Sequence, residues 1–131
     1  MPISDLPILS MLRTKMQWHQ ERQRLLAENV ANADTASFRP RDLTPLDFRE
    51  TAAAQAGGAL TLATTQPGHI AASNGAQFAN RKVGYDVRPT GNAVNLEDEM
   101  MKVAANQMDF QAATSLYSRS MGLFRTALGK R

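Results

Sequence analysis

A seven-residue repeat of apolar side chains runs from Asn95 to the C-terminus of the chain. One heptad position holds Leu96, Val103, Phe110, Tyr117 and Phe124, and the other holds Met100, Gln107, Thr114, Met121 and Leu128. This spacing predicts one long helix, residues 95–129, with a narrow apolar stripe of the coiled-coil kind. At roughly 1.5 Å per residue the helix would be about 50 Å long, more than a small domain covers with its own core. The repeat therefore predicts assembly with a partner.

A second, weaker stripe near the N-terminus predicts another helix over residues 5–33. Its apolar positions are Leu9, Leu12, Met16, Leu26, Val30 and Ala33, and His19 and Gln23 interrupt them. Ser4 or Asp5 is a suitable cap, and Pro7 is tolerated in a first turn. The helix is expected to end before Phe38-Arg39-Pro40, because the residue before a proline is disfavoured in the α region.

Between these helices, residues 34–94 are predicted to form a loop, a short helix and a small β element. Thr44 as cap and Pro45 as first helical residue predict the short helix, which Gly57-Gly58 would stop. From Gly57 to Gly75 the composition predicts a flexible connector. The alternation over 77–89 predicts one strand, or half of a hairpin about Asn74-Gly75.

The fold class follows from this order of elements. We predict a mainly α protein of one domain, residues 1–131, in which the two terminal helices pack as a coiled-coil-like layer. Asn95 is expected to cap the second long helix, with Asp98 returning a bond to the cap. Leftover heptad surface is expected to contact neighbouring subunits.

The chain has 131 residues, a formal net charge of +3 and no cysteine. Absence of cysteine excludes disulfides and thiolate metal sites. No cleavable secretory signal and no apolar window long enough for a membrane span is visible, so any export is expected to use another route.

The basic balance makes a small helical nucleic-acid-binding protein the alternative function. Its main support is the basic group Arg119, Arg125, Lys130 and Arg131. That group follows an acidic first turn, Glu97-Asp98-Glu99, which is the charge order that a helix dipole favours. We therefore favour the dipole explanation and predict no nucleic-acid partner.

The sequence predicts no enzyme. His19 and His69 are fifty residues apart and lack further ligands at helical spacing, whereas zinc takes three or four protein ligands. No dinucleotide-binding or phosphate-loop glycine pattern is present. We therefore expect no catalytic, metal or cofactor site, and we expect His19 at a polar position of the stripe or in solvent.

The stretch Asn29-Val30-Ala31-Asn32-Ala33-Asp34-Thr35, followed by Phe38, Arg39 and Arg41, resembles the N-terminal motif of bacterial flagellar rod and hook proteins. The run from Gly91 to Met100, with Asn106 and Phe110 beyond it, extends the resemblance to the C-terminal helix. It implies a structural subunit of the proximal rod of the flagellar basal body, which crosses the periplasm. It also implies export by the flagellar type III apparatus and assembly into a helical structure that transmits torque.

The resemblance also implies partners and contact residues. The partners would be other rod proteins, the proteins at the junction with the membrane ring and export gate, and further copies of this chain. Asn29 and Asn32, three apart on one helix face, can bond to the backbone of a neighbour or of the following turn, and the resemblance favours a subunit contact. The predicted subunit-interface residues are Asn29, Asn32, Leu96, Met100, Val103, Phe110, Tyr117, Met121, Phe124 and Leu128.

One departure from the family pattern lies in the turn. Family members usually have Pro-Gly after the motif threonine, whereas this chain has Ala36-Ser37. Glycine there would allow a positive φ angle, which Ser37 adopts only at a cost. We therefore expect the local geometry of this turn to differ.

Overall fold

The computed structural model describes residues 7–47, 78–84 and 86–129. In chain order these contain helix α1 (Pro7–Ala31), strand β1 (Arg41–Leu43), strand β2 (Asn80–Lys82) and helix α2 (Leu96–Ala127). The two helices pack against each other, which confirms the predicted pairing of the ends of the chain. No helix among these residues is long and apolar enough to span a membrane.

The helices run antiparallel. Near the end of α1, Asn29 bonds to Glu99 at the beginning of α2, whereas Met16, earlier in α1, contacts Thr114, later in α2. Helix α1 ends two residues before the end of the predicted range 5–33, whose first two residues lie outside the described part of the chain, and α2 is slightly shorter than the predicted range 95–129. Pro7 is the first residue described in α1, where its missing N–H costs nothing. Asn95 caps α2 as predicted, since its side chain accepts a hydrogen bond from the Glu97 N–H.

The β element described after the gap is shorter than predicted. Strand β2 spans three exposed residues and pairs antiparallel with β1, with Asp42 opposite Arg81. The predicted alternation over 77–89 is therefore wrong in extent, because the strand ends at Lys82. Asn74-Gly75, about which the hairpin alternative would turn, lies outside the described residues.

The short middle helix is not observed where it was expected to begin. Residues 44–47 are not helical, and the rest of that predicted helix lies outside the described residues. The predicted connector from Gly57 to Gly75 lies outside them as well.

A small apolar cluster joins α1 to the strands. Trp18, Leu25 and Leu43 are buried together, and Leu46 and Phe78 pack against them. The Trp18 indole N–H donates to the Thr44 carbonyl at 3.0 Å, so the ring is fixed at both its apolar body and its polar tip. Arg22 lies over the same ring and forms two 2.9 Å bonds with Asp42 of β1. These contacts attach β1 to the middle of α1.

Gly84 allows the segment after β2 to pass close to the rest of the fold. Its φ is +121°, and a Cβ there would lie 2.9 Å from the Ala93 carbonyl oxygen. Real Cβ atoms do not approach so closely, so this crossing requires glycine. The Val83 N–H donates to the Pro40 carbonyl beside it, which continues the pairing of the two strands.

Candidate assembly surfaces

Three residues at heptad spacing form the buried side of α2: Glu99, Asn106 and Ala113. Two of the three are polar, so the contact with α1 is not an ordinary apolar stripe. Val103, Phe110, Tyr117 and Phe124 flank this row and are half-buried. The first predicted heptad position is thus beside the line of closest packing, and Leu96 at its beginning is 40% exposed.

The second predicted heptad position lies at the edge of this contact, where Met100 lines a groove with α1 and Thr114 reaches Met16. Met100 is 61% and Leu128 58% exposed, and Gln107 and Thr114 are exposed as well, whereas Met121 is half-buried. The expectation that leftover heptad surface contacts neighbouring subunits is not tested by the single chain and stays a prediction. Glu99 was attributed to the helix dipole alone, and the structure corrects this, because its side chain is buried in the helix contact.

The buried carboxylate of Glu99 is fully partnered. One oxygen accepts from the Asn29 amide at 2.8 Å, and the other accepts from the Lys102 ammonium at 2.6 Å. A buried charge is costly unless it is paired and hydrogen-bonded, and both conditions are met here. The same Asn29 amide group donates to the Arg41 carbonyl and accepts from the Arg41 N–H. Asn29 therefore links α1, β1 and α2.

His19 and Asn106 form a second polar contact between the helices. The His19 Nδ1 lies 2.7 Å from the Asn106 Oδ1, and the Asn106 amide donates to the His19 carbonyl and to the Gln23 side-chain oxygen. Since the amide nitrogen is occupied by two acceptors, its oxygen faces the ring and Nδ1 carries the proton. Together, the contacts Asn29–Glu99 and His19–Asn106 are called the polar ladder below.

Asn92 holds the turn that follows α1. Its amide donates to the carbonyls of Asn32 and Thr35, and its oxygen accepts from the Val94 N–H. Both carbonyls lie in the turn after α1, and they also accept backbone bonds from the N–H groups of Thr35 and Phe38. Asn32 itself bonds to the Glu28 carbonyl and to the Thr35 hydroxyl. The two asparagines of the motif, Asn29 and Asn32, therefore bond to backbone and side-chain groups within the chain.

The subunit contact expected for Asn29 and Asn32 stays a prediction. The Asn29 side chain is 1% exposed, and both of its amide atoms are engaged within the chain. A neighbouring subunit would therefore contact the surface of this turn, and the buried Asn29 amide would support that surface through its hydrogen bonds within the chain. Asn32 is half-buried and closer to solvent.

The sequence patterns missed an exposed apolar row on α2. This row consists of Met101, Met108, Leu116 and Leu123, which are 71%, 65%, 53% and 69% exposed. At about 100° per residue, the four lie within one sector of the helix, on a different side from Glu99, Asn106 and Ala113. Helix α2 therefore has apolar side chains on two sides, and α1 covers only one of these sides. The row could have been recognised in the sequence from two pairs of apolar residues seven apart, Met101 with Met108 and Leu116 with Leu123.

An apolar groove lies between the two helices at another side of α2. It has a volume of about 390 Å³ and is lined by Gln23, Ala27, Val30, Ala31, Met100 and Val103. Its α1 wall consists mainly of small residues, which leave room for side chains of a neighbouring helix. Two of the predicted interface residues, Met100 and Val103, therefore line this groove.

Within the described residues, no group of three or more histidine, acidic or cysteine side chains is arranged to hold a metal ion. His19 is buried against Trp18 and Asn106, and its partners are structural. The exposed basic side chains Arg119 and Arg125 lie on the C-terminal part of α2. Lys130 and Arg131 lie outside the described residues.

Comparison with known proteins identifies relatives over most of the chain. The flagellar basal body rod protein FlgB of Cereibacter sphaeroides is 33% identical over 111 residues, which is 83% of this chain and 84% of that protein. FlgB of Aeromonas hydrophila is 30% identical over 118 residues, 84% of each chain. FlgB of Agrobacterium fabrum is 26% identical over 121 residues, 87% of each chain. No family model matches the chain. At this identity and coverage, the chain belongs to the FlgB family of flagellar basal body rod proteins.

Proposed function

We propose that this protein is a structural subunit of the proximal rod, that the flagellar type III apparatus exports it, and that its helical assembly transmits torque across the periplasm. The relatives are named as rod proteins, which supports the rod over nucleic-acid binding. The observation that carries the proposal is the exposed apolar row Met101, Met108, Leu116 and Leu123 on a helix already packed on another side.

The exposed row has the chemistry of a helix-packing surface. Burying one such side chain contributes about 1.5–3 kcal/mol, so four together provide a substantial part of the free energy of a subunit contact. The apolar groove beside Met100 and Val103 provides a different surface on the same molecule. Contacts between two different surfaces of identical subunits are heterologous, and they generate helical assemblies when the rotation does not close.

The polar ladder contributes specificity in this proposal. Polar residues at core positions of paired helices fix register and partner at some cost in stability. The Asn29–Glu99 and His19–Asn106 contacts set the register of α1 on α2, and this register determines where the exposed row lies relative to the groove. A rod subunit that transmits torque needs such a rigid helix pair, because slippage between the helices would absorb the load.

Assembly also compensates for a small core. Apart from the cluster of Trp18, Leu25 and Leu43, the buried apolar residues described are Leu9, Leu26, Ala93, Val94 and Ala113. Ordering the chain costs about 1–2 kcal/mol per residue in backbone entropy. A core as small as the one described therefore leaves little net stability. We propose that the chain, residues 1–131, is one rod-type domain that gains stability on packing. Its partners are further copies, other rod proteins and the proteins at the membrane-ring and export-gate junction.

The test is deletion of the gene in a flagellated host, with complementation from a plasmid. We expect loss of rod, hook, filament and swimming in the deletion strain, with basal bodies viewed by electron microscopy, and restoration by the plasmid. Intact rods in the deletion strain would overturn the proposal. Detection of the secreted protein in a strain that exports but does not assemble rods tests the export step separately.

A further inference from the structure

The first half of α2 presents three methionines to solvent. Met100, Met101 and Met108 are 61%, 71% and 65% exposed, which places them among the most exposed large apolar residues described. Met101 and Met108 belong to the exposed row, and Met100 lines the apolar groove. Both candidate assembly surfaces therefore contain a thioether sulfur that solvent can reach in the unassembled chain.

The other described methionines are more protected. Met11, Met16 and Met121 are half-buried. The Met16 sulfur also lies 3.7 Å from the Thr114 hydroxyl of α2. Exposure thus separates the methionines into two groups, and it predicts an order of reactivity toward oxidants that act from solvent.

We propose that Met100, Met101 and Met108 form an oxidation site whose state controls whether α2 can join an assembly; this inference rests on the proposed function. The oxidant is a peroxide. One peroxide oxygen is transferred to the thioether sulfur, the O–O bond breaks, and hydrogen peroxide leaves as water, so sulfur is oxidised by two electrons and peroxide is reduced by two. The product, methionine sulfoxide, is returned to methionine by methionine sulfoxide reductases.

Oxidation changes the chemistry of both surfaces. A sulfoxide is a strong hydrogen-bond acceptor on a side chain that had none of comparable strength, and burying it without a donor costs free energy. At the three positions, each sulfoxide would enter an apolar contact, either at the exposed row or at the groove wall. The fold of the single chain is unaffected, because these side chains stay in solvent there. The site therefore acts on assembly rather than on folding, and packed subunits are protected.

The test begins with limited hydrogen peroxide treatment of the purified full-length protein, followed by trypsin and mass spectrometry. Cleavage after Lys102 and Arg119 puts Met108 in a different peptide from Met100 and Met101, and from Met121. We expect oxidation at the three positions before oxidation at Met16. Circular dichroism should show unchanged helix content. Equal rates at Met16 and Met108 would overturn the site assignment.

Sedimentation then measures self-association of untreated and oxidised protein. We expect oxidised protein to need at least about tenfold higher concentration for the same association, and treatment with methionine sulfoxide reductases to reverse this. A variant with M100L, M101L and M108L should keep associating after peroxide treatment, since leucine has similar volume and no sulfur. The matched control, with M11L, M16L and M121L, should stay sensitive.

Each result decides between the inference and the proposed function. Oxidised protein that associates as well as untreated protein overturns the inference and leaves the proposed function standing. Loss of association that the reductases do not reverse, or equal sensitivity in the leucine variant, also overturns it. Untreated protein that stays monomeric at every concentration and forms no rods in cells counts against the proposed function itself.

Discussion

His19 and Asn106, 87 residues apart in sequence, hold each other by a reciprocal pair of hydrogen bonds between α1 and α2. The ring nitrogen Nδ1 donates to the amide oxygen at 2.7 Å, and the amide nitrogen donates to the His19 backbone carbonyl at 2.9 Å. Both side chains are buried, at 3% and 1% exposure. One asparagine therefore ties both the side chain and the backbone of α1 to α2.

Replacing Asn106 by leucine should destabilise the protein by about 1–3 kcal/mol, because the buried His19 Nδ1–H loses its acceptor. Urea unfolding followed by circular dichroism measures this loss. The double variant His19→Leu/Asn106→Leu should lose less than the sum of the single variants, since replacing both partners removes the unpaired group. Gln107→Ala, at the next and exposed position, is the control and should change stability by less than about 0.5 kcal/mol. Equal effects at 106 and 107 would contradict the contact.

The sequence predicted the helices well because their signals are local. Pro7, the Asn95 cap and the apolar repeat determine where the helices lie, and the two ranges were close to the observed ones. The side of α2 that meets α1 was not predicted, because the buried row contains Glu99 and Asn106, which hydropathy places in solvent. Those residues are buried only because Asn29 and His19 satisfy them across the interface.

The same reason explains the other misplaced residues. His19 and Gln23 were taken as interruptions of the α1 stripe, and they are the residues that Asn106 binds. Strand β1 has three residues and its partner is distant in sequence, so no local pattern indicates the pair. The family resemblance drew attention to Asn29 and Asn106, but it predicted neither of their contacts within the chain, because no local pattern pairs residues so far apart.

Ser37 adopts a positive φ angle, the conformation that glycine at this position would adopt without cost, and the expected difference from the turn of family members with Pro-Gly stays a prediction. Its φ is 58°, and its N–H donates to the Thr90 carbonyl at 3.1 Å. The left-handed region costs a residue with a Cβ about 1–2 kcal/mol, which glycine would not have to overcome. Part of that gain in stability is lost, because glycine has greater conformational freedom in the unfolded chain. Ser37→Gly should therefore stabilise the protein by about 0.5–1 kcal/mol in urea unfolding.

Ser37→Val provides the opposite change at the same site. A β-branched side chain is a poor fit to positive φ, so this variant should be less stable than the parent protein. Ser37→Ala separates the hydroxyl from the backbone effect, since alanine has the same Cβ and no hydroxyl. The assignment fails if glycine and alanine change stability equally.

The ion pair of Arg22 with Asp42 predicts how stability depends on pH. Burial raises the pKa of Asp42, but the hydrogen bonds and charge of Arg22, with the Leu43 N–H, more than offset this, so the pKa lies below its ordinary value. A carboxyl whose pKa is lower in the folded state contributes stability that is complete above its unfolded pKa, about 4. That contribution is lost as the pH falls through the lower pKa of the folded state.

Asp42→Asn should therefore reduce stability at neutral pH by about 1.5–3 kcal/mol and flatten its dependence on pH below about 4. Urea unfolding at a series of pH values measures both effects. Asp86→Asn, at an exposed position, is the control and should keep the slope of the parent protein. An unchanged slope in Asp42→Asn would show that another carboxyl causes the acid sensitivity.

The two sides of α2 should respond differently to a charged residue. Met108 is 65% exposed in the single chain, whereas Phe110 is half-buried beside the polar ladder. Met108→Glu should keep helix content and unfolding midpoint, because its side chain stays in solvent until assembly. It should nevertheless prevent incorporation into rods, since an unpaired carboxylate would be buried at the subunit contact.

Phe110→Glu should both lower the unfolding midpoint and prevent incorporation, because its side chain contributes to the packing of the single chain as well. Both variants should still be detected as secreted protein, because in the proposed function export precedes the subunit contact. Gln111→Glu is the matched control, an exposed position on the same helix that lies outside the exposed row, and it should form rods normally. Isolated basal bodies and unfolding curves for all three variants distinguish a defect of assembly from one of folding. Normal rods with Met108→Glu would exclude the exposed row as a subunit contact, even if Phe110→Glu failed to assemble, because loss of folding alone explains the latter.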